Sequence, residues 1–143
     1  MPLIEATDTN SILRNEVYDR NPLARWSEAR VTLLGDAAHP MTPNLGQGAC
    51  QAIEDGLVLA VCLKKYAGVV AGLSEYDRRR IPRTSRIVLR SRRIGEIGQW
   101  KSPLLCLLRD AAVRVTPSRM MVRQMDGVAG YRVLTSDDRP LLD

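Results

Sequence analysis

Eight positions between Gly35 and Gly48 carry side chains or backbone freedom that a ligand site can use: Gly35, Asp36, His39, Pro40, Pro43, Gly46, Gln47 and Gly48. They follow a compact apolar run, Val31-Thr32-Leu33-Leu34, which is β-branched at its start and reads as a buried strand. From Ala49 the composition switches, and Ala49, Ile53, Leu57, Ala60 and Val61 recur at helical spacing up to about Lys65. A strand closed by Gly-Asp that passes through a Pro/Gly loop into a helix is a physical device. The glycine lets the chain turn sharply, the aspartate sets an acceptor carboxylate at the carboxyl edge of the sheet, and the helix start offers unpaired N–H donors. A ligand with hydroxyl groups and a developing negative charge suits all three.

Nearby residues offer less. Gly46-Gln47-Gly48 is not a dinucleotide fingerprint, because the third glycine position holds Gln51 and no strand precedes it. His39 is the single histidine; beside a proline it reads as a structural hydrogen-bonder, and no metal site assembles around it. Glu54 and Asp55, adjacent on a helix, face different directions and are not an acid/base couple; they read as acids favoured by the dipole, with anchoring of neighbouring loops open to them. Trp26, Trp100 and the group Met120, Met121 and Met125 read as packing residues.

The elements that must position these groups can be placed coarsely. Residues Ile12 to Val17 form a short polar-apolar segment, the tail of a sheet, that ends in a turn at Pro22. Asn44 or the glycines start the helix that ends near Lys64-Lys65, two cations suited to its C-terminal dipole. Gly68 to Gly72 makes a break, and Ser74-Glu75-Tyr76-Asp77 has the spacing of a capping box for a second helix, which Pro82 should kink. Ile87, Val88, Ile94 and Ile97 carry its apolar stripe toward Trp100, and a short helix from Leu104 to Val115 lies between Pro103 and Pro117. The polar end, Thr135 to Pro140, reads as frayed.

The residues Arg30-Val31-Thr32-Leu33-Leu34-Gly35-Asp36-Ala37-Ala38-His39-Pro40, then Pro43, Gly46-Gln47-Gly48-Ala49 and Glu54-Asp55-Gly56 resemble the second FAD-binding motif of the flavin-dependent aromatic hydroxylases. Within that family they resemble the salicylate-hydroxylase-like and zeaxanthin-epoxidase-like branch. Tyr76-Asp77-Arg78-Arg79-Arg80, Pro82-Arg83 and the segment from Ser91 to Gly95 resemble its C-terminal helices, so the similarity covers nearly the whole chain. The resemblance implies the α/β class: the C-terminal part of an FAD/NAD(P)-binding Rossmann-like fold, mainly helical here, with one or two strands. It divides the chain into the end of a substrate-domain segment (1–22), the second FAD motif (23–66), C-terminal helices (67–134) and a polar tail (135–143).

It also implies roles. Asp36 would bind a ribityl hydroxyl of FAD, Pro43 would lie against the isoalloxazine ring, and Gly46, Gln47, Gly48 and Ala49 would lead backbone amides to the pyrimidine end of the flavin. The helix tip would face the region where charge gathers on reduction, a contribution of roughly 0.3–2 kcal/mol that tunes a cofactor without carrying the reaction. The implied activity is NAD(P)H-dependent hydroxylation or epoxidation of an aromatic or polyene substrate. The family's Gly-x-Gly-x-x-Gly unit, its central Asp-Gly segment and most of its substrate-covering sheet find no match here. The expected partner is therefore an N-terminal half, absent through a truncated frame or encoded as a separate chain, the remaining explanation being a helical remnant with another job; the strand at Val31 to Leu34 needs backbone partners from elsewhere.

Composition bounds these readings. Of 143 residues 45% are hydrophobic, enough for one core, and with no Phe that core must be aliphatic, which favours helices. Three widely spaced cysteines, Cys50, Cys62 and Cys106, argue against a disulfide framework or zinc site and point to a reducing, cytoplasmic setting. No leader or membrane span is legible, the longest apolar run being Leu57 to Leu63. The net charge of +5 owes much to arginines 78, 79, 80, 83, 86, 90, 92 and 93, which read as a solvated helix face with some pairing to Glu75 and Asp77. The alternative function that this charge supports is a non-enzymatic basic helical module binding nucleic acid or a protein partner.

Overall fold

The computed structural model of the chain describes residues 5–132, 134 and 138. In chain order the described elements are β1 (Ser27–Glu28), β2 (Val31–Thr32), α1 (Gly48–Lys65), α2 (Val69–Gly98), α3 (Pro103–Val115) and α4 (Ser118–Ala129). Single 3₁₀ turns at Gly35–Ala37 and Pro43–Leu45 lie between β2 and α1. β1 and β2 form a two-stranded antiparallel ribbon with Ser27 opposite Thr32 and Glu28 opposite Val31.

The α1–α2 hairpin is the body of the molecule. Gly68, at φ +105, takes a backbone conformation that L side chains rarely adopt and turns the chain into α2. Gly72 then lets α2 lie against the end of α1, because a Cβ there would sit 3.0 Å from the Cys62 carbonyl oxygen. Val58, Cys62, Tyr76, Trp26 and Ala38 form one buried cluster, with Leu23, Leu33, Leu59 and Ile81 packed against it. Burying a side chain the size of Val or Leu contributes about 1.5–3 kcal/mol, so these few residues account for much of the hairpin's cohesion. The Asp77 carboxylate ties the ribbon to α2, accepting from the Trp26 amide (3.1 Å), the Ser27 amide (3.0 Å) and Ser27 Oγ (2.7 Å).

Several expectations change. The run Val31 to Leu34 is not a buried strand: the strand is Val31 and Thr32, extended by one bond from the Leu33 amide to the Trp26 carbonyl (3.2 Å), and Val31 is 70% exposed. Its apolar character alone could not bury it, because among the described residues β1 is its single sheet neighbour and nothing covers its outer face. Ser74 does not cap a helix; α2 begins at Val69, so Ser74 to Asp77 lie inside it and the Asp77 carboxylate serves the ribbon. The break expected over Gly68 to Gly72 is confined to the residues before Val69. α2 continues past Pro82 to Gly98 as one element, as the stripe beyond the proline implies. Its apolar stripe is buried at Ile87 and Val88 but Ile94 and Trp100 are exposed. Residues 12–18 form no strand, with Leu13 and Tyr18 exposed, and Met120 is exposed too. The side chains of Met121 and Met125 lie outside the described residues, as does the tail beyond 134 apart from Asp138.

Candidate functional site

The turn Gly35–Ala37, the turn Pro43–Leu45 and the start of α1 surround one open cavity of about 410 Å³. Asp36, Pro43, Gly46, Gln47, Gly48 and Ala49 all line it, joined by Met41, Thr42 and Ala52. Gly35 (φ +59) and Gly46 (φ +61) are both left-handed, a cheap conformation only for glycine, and they set the two bends of the loop. Asp36 is exposed, and among the described residues its carboxylate has no hydrogen-bond donor. A Cβ placed on Gly48 would sit 3.9 Å from Asp36 Oδ1, so the carboxylate stands beside the first residue of α1. No side chain caps that helix start, so its first N–H groups have no side-chain acceptor.

Behind the cavity lies a buried ionic network that the sequence reading did not assemble. Asp55 Oδ2 accepts from the Gly35 amide (3.0 Å) and lies 2.6 Å from His39 Nε2; Asp55 Oδ1 accepts from Arg80 Nε (2.7 Å). The guanidinium of Arg80, 1% exposed, also donates to Glu54 Oε2 (2.6 Å), to Gln51 Oε1 (2.9 Å) and to the Gln51 carbonyl (3.2 Å). Arg83 grips Glu54 through two 2.7 Å bonds, donates to the Val128 carbonyl (3.1 Å) and stacks 3.6 Å over the Tyr131 ring. Burial pushes the Asp55 carboxyl up, but hydrogen bonds from His39, Arg80 and the Gly35 amide outweigh it and hold the group below the usual range. Glu54 is held low in the same way, with burial opposed by Arg83 and Arg80.

The arginine run is thus not a solvated face throughout. Arg78 does pair with Glu75, but Arg80 and Arg83 point into the hairpin and Arg79 donates to the buried Asp138 at 2.8 Å. Glu54 and Asp55 do start on different sides of α1, yet one guanidinium reaches both. The signal was present in the spacing: Tyr76, Arg80, Thr84, Ile87 and Ser91, all buried, fall on one stripe of a helix, so an arginine there must meet an acid on the facing element. The Pro43 turn is pinned to the far end of that stripe. Ser91 Oγ donates to the Thr42 carbonyl (2.7 Å), and Asn44 Nδ2 donates to the Ser91 carbonyl (3.0 Å). Asn44 therefore braces the loop and does not start α1, which begins at Gly48 after Gln47.

A family model described as FAD binding domain matches residues 8–91, more than half of the chain. This chain belongs to the FAD-binding domain family of FAD-dependent monooxygenases. Within this family, the aurachin C monooxygenase/isomerase of Stigmatella aurantiaca is 47% identical over 116 residues, covering 81% of this chain and 30% of that protein. The chloroplastic zeaxanthin epoxidase of Oryza sativa subsp. japonica is 50% identical over 93 residues, covering 58% of this chain and 14% of its own length. HpxO of Klebsiella pneumoniae, solved in complex with FAD and uric acid, aligns with a TM-score of 0.79 at 34% identity, over 87% of this chain and 32% of that one. The chain therefore spans no more than about a third of the length of these relatives. What it carries is the mainly helical part of the family's α/β FAD-binding fold.

Proposed function

We propose that this chain forms the ribityl and pyrimidine side of an FAD site in a flavin-dependent monooxygenase. The observation that carries the reading is the convergence of Asp36, Pro43 and Gly46 to Ala49 on one cavity, with the Asp36 carboxylate beside the uncapped start of α1. The donor set suits the group. An open carboxylate can accept a hydrogen bond from a ribityl hydroxyl, and a charge-assisted bond of this kind is stronger than a neutral one. Pro43 offers a flat apolar wall, and the glycines leave the backbone of residues 46 to 48 free to approach a ring edge. The tip of α1 presents N–H groups and a positive dipole end to an electron-rich pyrimidine edge. FAD, when bound, supplies the redox and oxygen-transfer chemistry, with NAD(P)H as the reductant of the complete enzyme. The substrate class that fits the family is an aromatic or polyene compound, hydroxylated or epoxidised. In this reading residues 23–66 make the flavin wall and the helices of 67–134 brace it, while the ADP half of FAD is held by an N-terminal half in the same or another chain.

The test uses the continuous full-length protein, or this chain combined with its complementary N-terminal half. The assembled protein should show visible flavin absorbance and oxidise NAD(P)H. Asp36→Ala should weaken FAD retention by about 10- to 100-fold, the loss expected for one hydrogen bond to a charged group. Flavin occupancy unchanged by that substitution would remove the role given to Asp36.

A further inference from the structure

The turn that carries Asp36 is held at two points: Arg20 donates to the Ala37 and Ala38 carbonyls at its far end, and a buried carboxylate takes the Gly35 amide from behind. Asp55 is fully buried and does not line the cavity. Its two oxygens take three donors: the Gly35 amide and His39 Nε2 on one, Arg80 Nε on the other. Arg80 is itself fixed by Glu54 and Gln51, so the acceptor geometry of Asp55 has little freedom. Asp55 lies seven residues beyond Gly48 on α1, about two turns, and so on the same stretch of rigid helix whose tip forms the opposite wall of the cavity. The bond to the Gly35 amide therefore ties the turn to the helix whose tip it faces.

We infer that Asp55 is a positioning residue for the Asp36 carboxylate, acting through the Gly35 amide, with His39 and Arg80 holding its oxygens in place. The inference rests on the flavin reading above. A carboxylate only accepts, and all three of its neighbours here donate. An asparagine would turn an N–H₂ toward either Arg80 or the Gly35 amide, opposing donor to donor, and the backbone one residue before Asp36 would lose its anchor. Asp55 does not line the cavity, so it acts on flavin only through its neighbours, and the Gly35 amide is the one adjacent to Asp36.

The experiment measures equilibrium FAD dissociation in the full-length flavoprotein, by flavin fluorescence and visible absorbance, at a temperature where far-UV circular dichroism shows every variant folded. Asp55→Asn should weaken FAD binding about tenfold, as expected for misplacing one charged hydrogen bond. The double variant with Asp36→Ala should bind no more weakly than Asp36→Ala alone. Losses that add in the double variant, or an unchanged Kd for Asp55→Asn, overturn the positioning role and leave the flavin reading standing. An unchanged Kd for Asp36→Ala removes that reading and this inference with it. Should Asp55→Asn not fold, His39→Ala and His39→Gln decide the matter. Alanine deletes a donor to Asp55 and should loosen FAD, whereas glutamine retains an N–H donor and should restore it; equal Kd values for the two overturn the inference.

Discussion

Gly35 shows how a single residue can serve both backbone and site. Its φ of +59 would cost an L side chain about 1–2 kcal/mol, and a Cβ would also press to 3.2 Å from Ala52 Cβ. Gly35→Ala should therefore lower the thermal midpoint by an amount equivalent to about 1–2 kcal/mol, as read by calorimetry. Arg80 stakes more. Its removal leaves Asp55 buried with no guanidinium, and breaking a buried pair this way typically costs about 3–5 kcal/mol. Arg80→Ala should shift the denaturant midpoint by that order, and Arg80→Lys should recover only part, because an ammonium cannot reach Asp55, Glu54 and Gln51 from one planar fork. A midpoint for Arg80→Ala within experimental error of wild type would show that the network does not hold the hairpin.

At the scale of elements, the relation between α1 and α2 depends on how closely two backbones approach. Gly72 in α2 permits that approach, whereas Gly56 in α1 has no heavy atom outside its own helix backbone within 4 Å of its missing Cβ. Alanine should act oppositely at the two sites. Gly72→Ala must push Cys62 and Leu63 away and should destabilise by about 1–3 kcal/mol, the usual cost of overpacking. Gly56→Ala should gain up to about 1 kcal/mol, since alanine restricts the unfolded chain without meeting anything. Paired thermal melts check the contrast, and a loss at both positions would contradict the packing described. The same scale explains the ribbon. A run of four apolar residues signals an extended segment, but whether it is buried depends on neighbours, and those described at Val31 leave its outer face open.

The whole molecule should be acid-sensitive through its hairpin. Asp55 and Glu54 are held below their ordinary pKa in the folded chain, so the unfolded chain takes up protons first as pH falls. Their contribution is thus fully present above the unfolded carboxylate value of about 4 and is lost as pH drops through the lower folded values. Denaturation midpoints measured from neutrality downward should stay level and then fall below about pH 4, with Asp55→Asn showing a shallower fall. A flat profile for the wild type would count against the network. The net charge of +5 is also distributed differently from what the sequence suggests: Arg80 and Arg83 face inward against Glu54 and Asp55. Two acids are buried with those two arginines, so the +5 excess stays on the rest of the chain, and a mobility-shift assay with no binding at low salt would dispose of the nucleic-acid reading. Among the described residues no helix is long and apolar enough to cross a membrane.

The sequence by itself determined the local parts of the site: the Gly35-Asp36 turn, the Pro43 bend, the glycines before α1, and a helix ending at Lys65. These follow from what each residue permits its own backbone, which needs no knowledge of the rest of the chain. Tertiary structure alone decided that Arg80 would reach Asp55, 25 residues away along the chain, and that Ser91 would grip the Thr42 carbonyl across 49. Such pairs depend on which stripe of one helix meets which stripe of another. An arginine at a given position reads the same in sequence whether water or a buried carboxylate receives it.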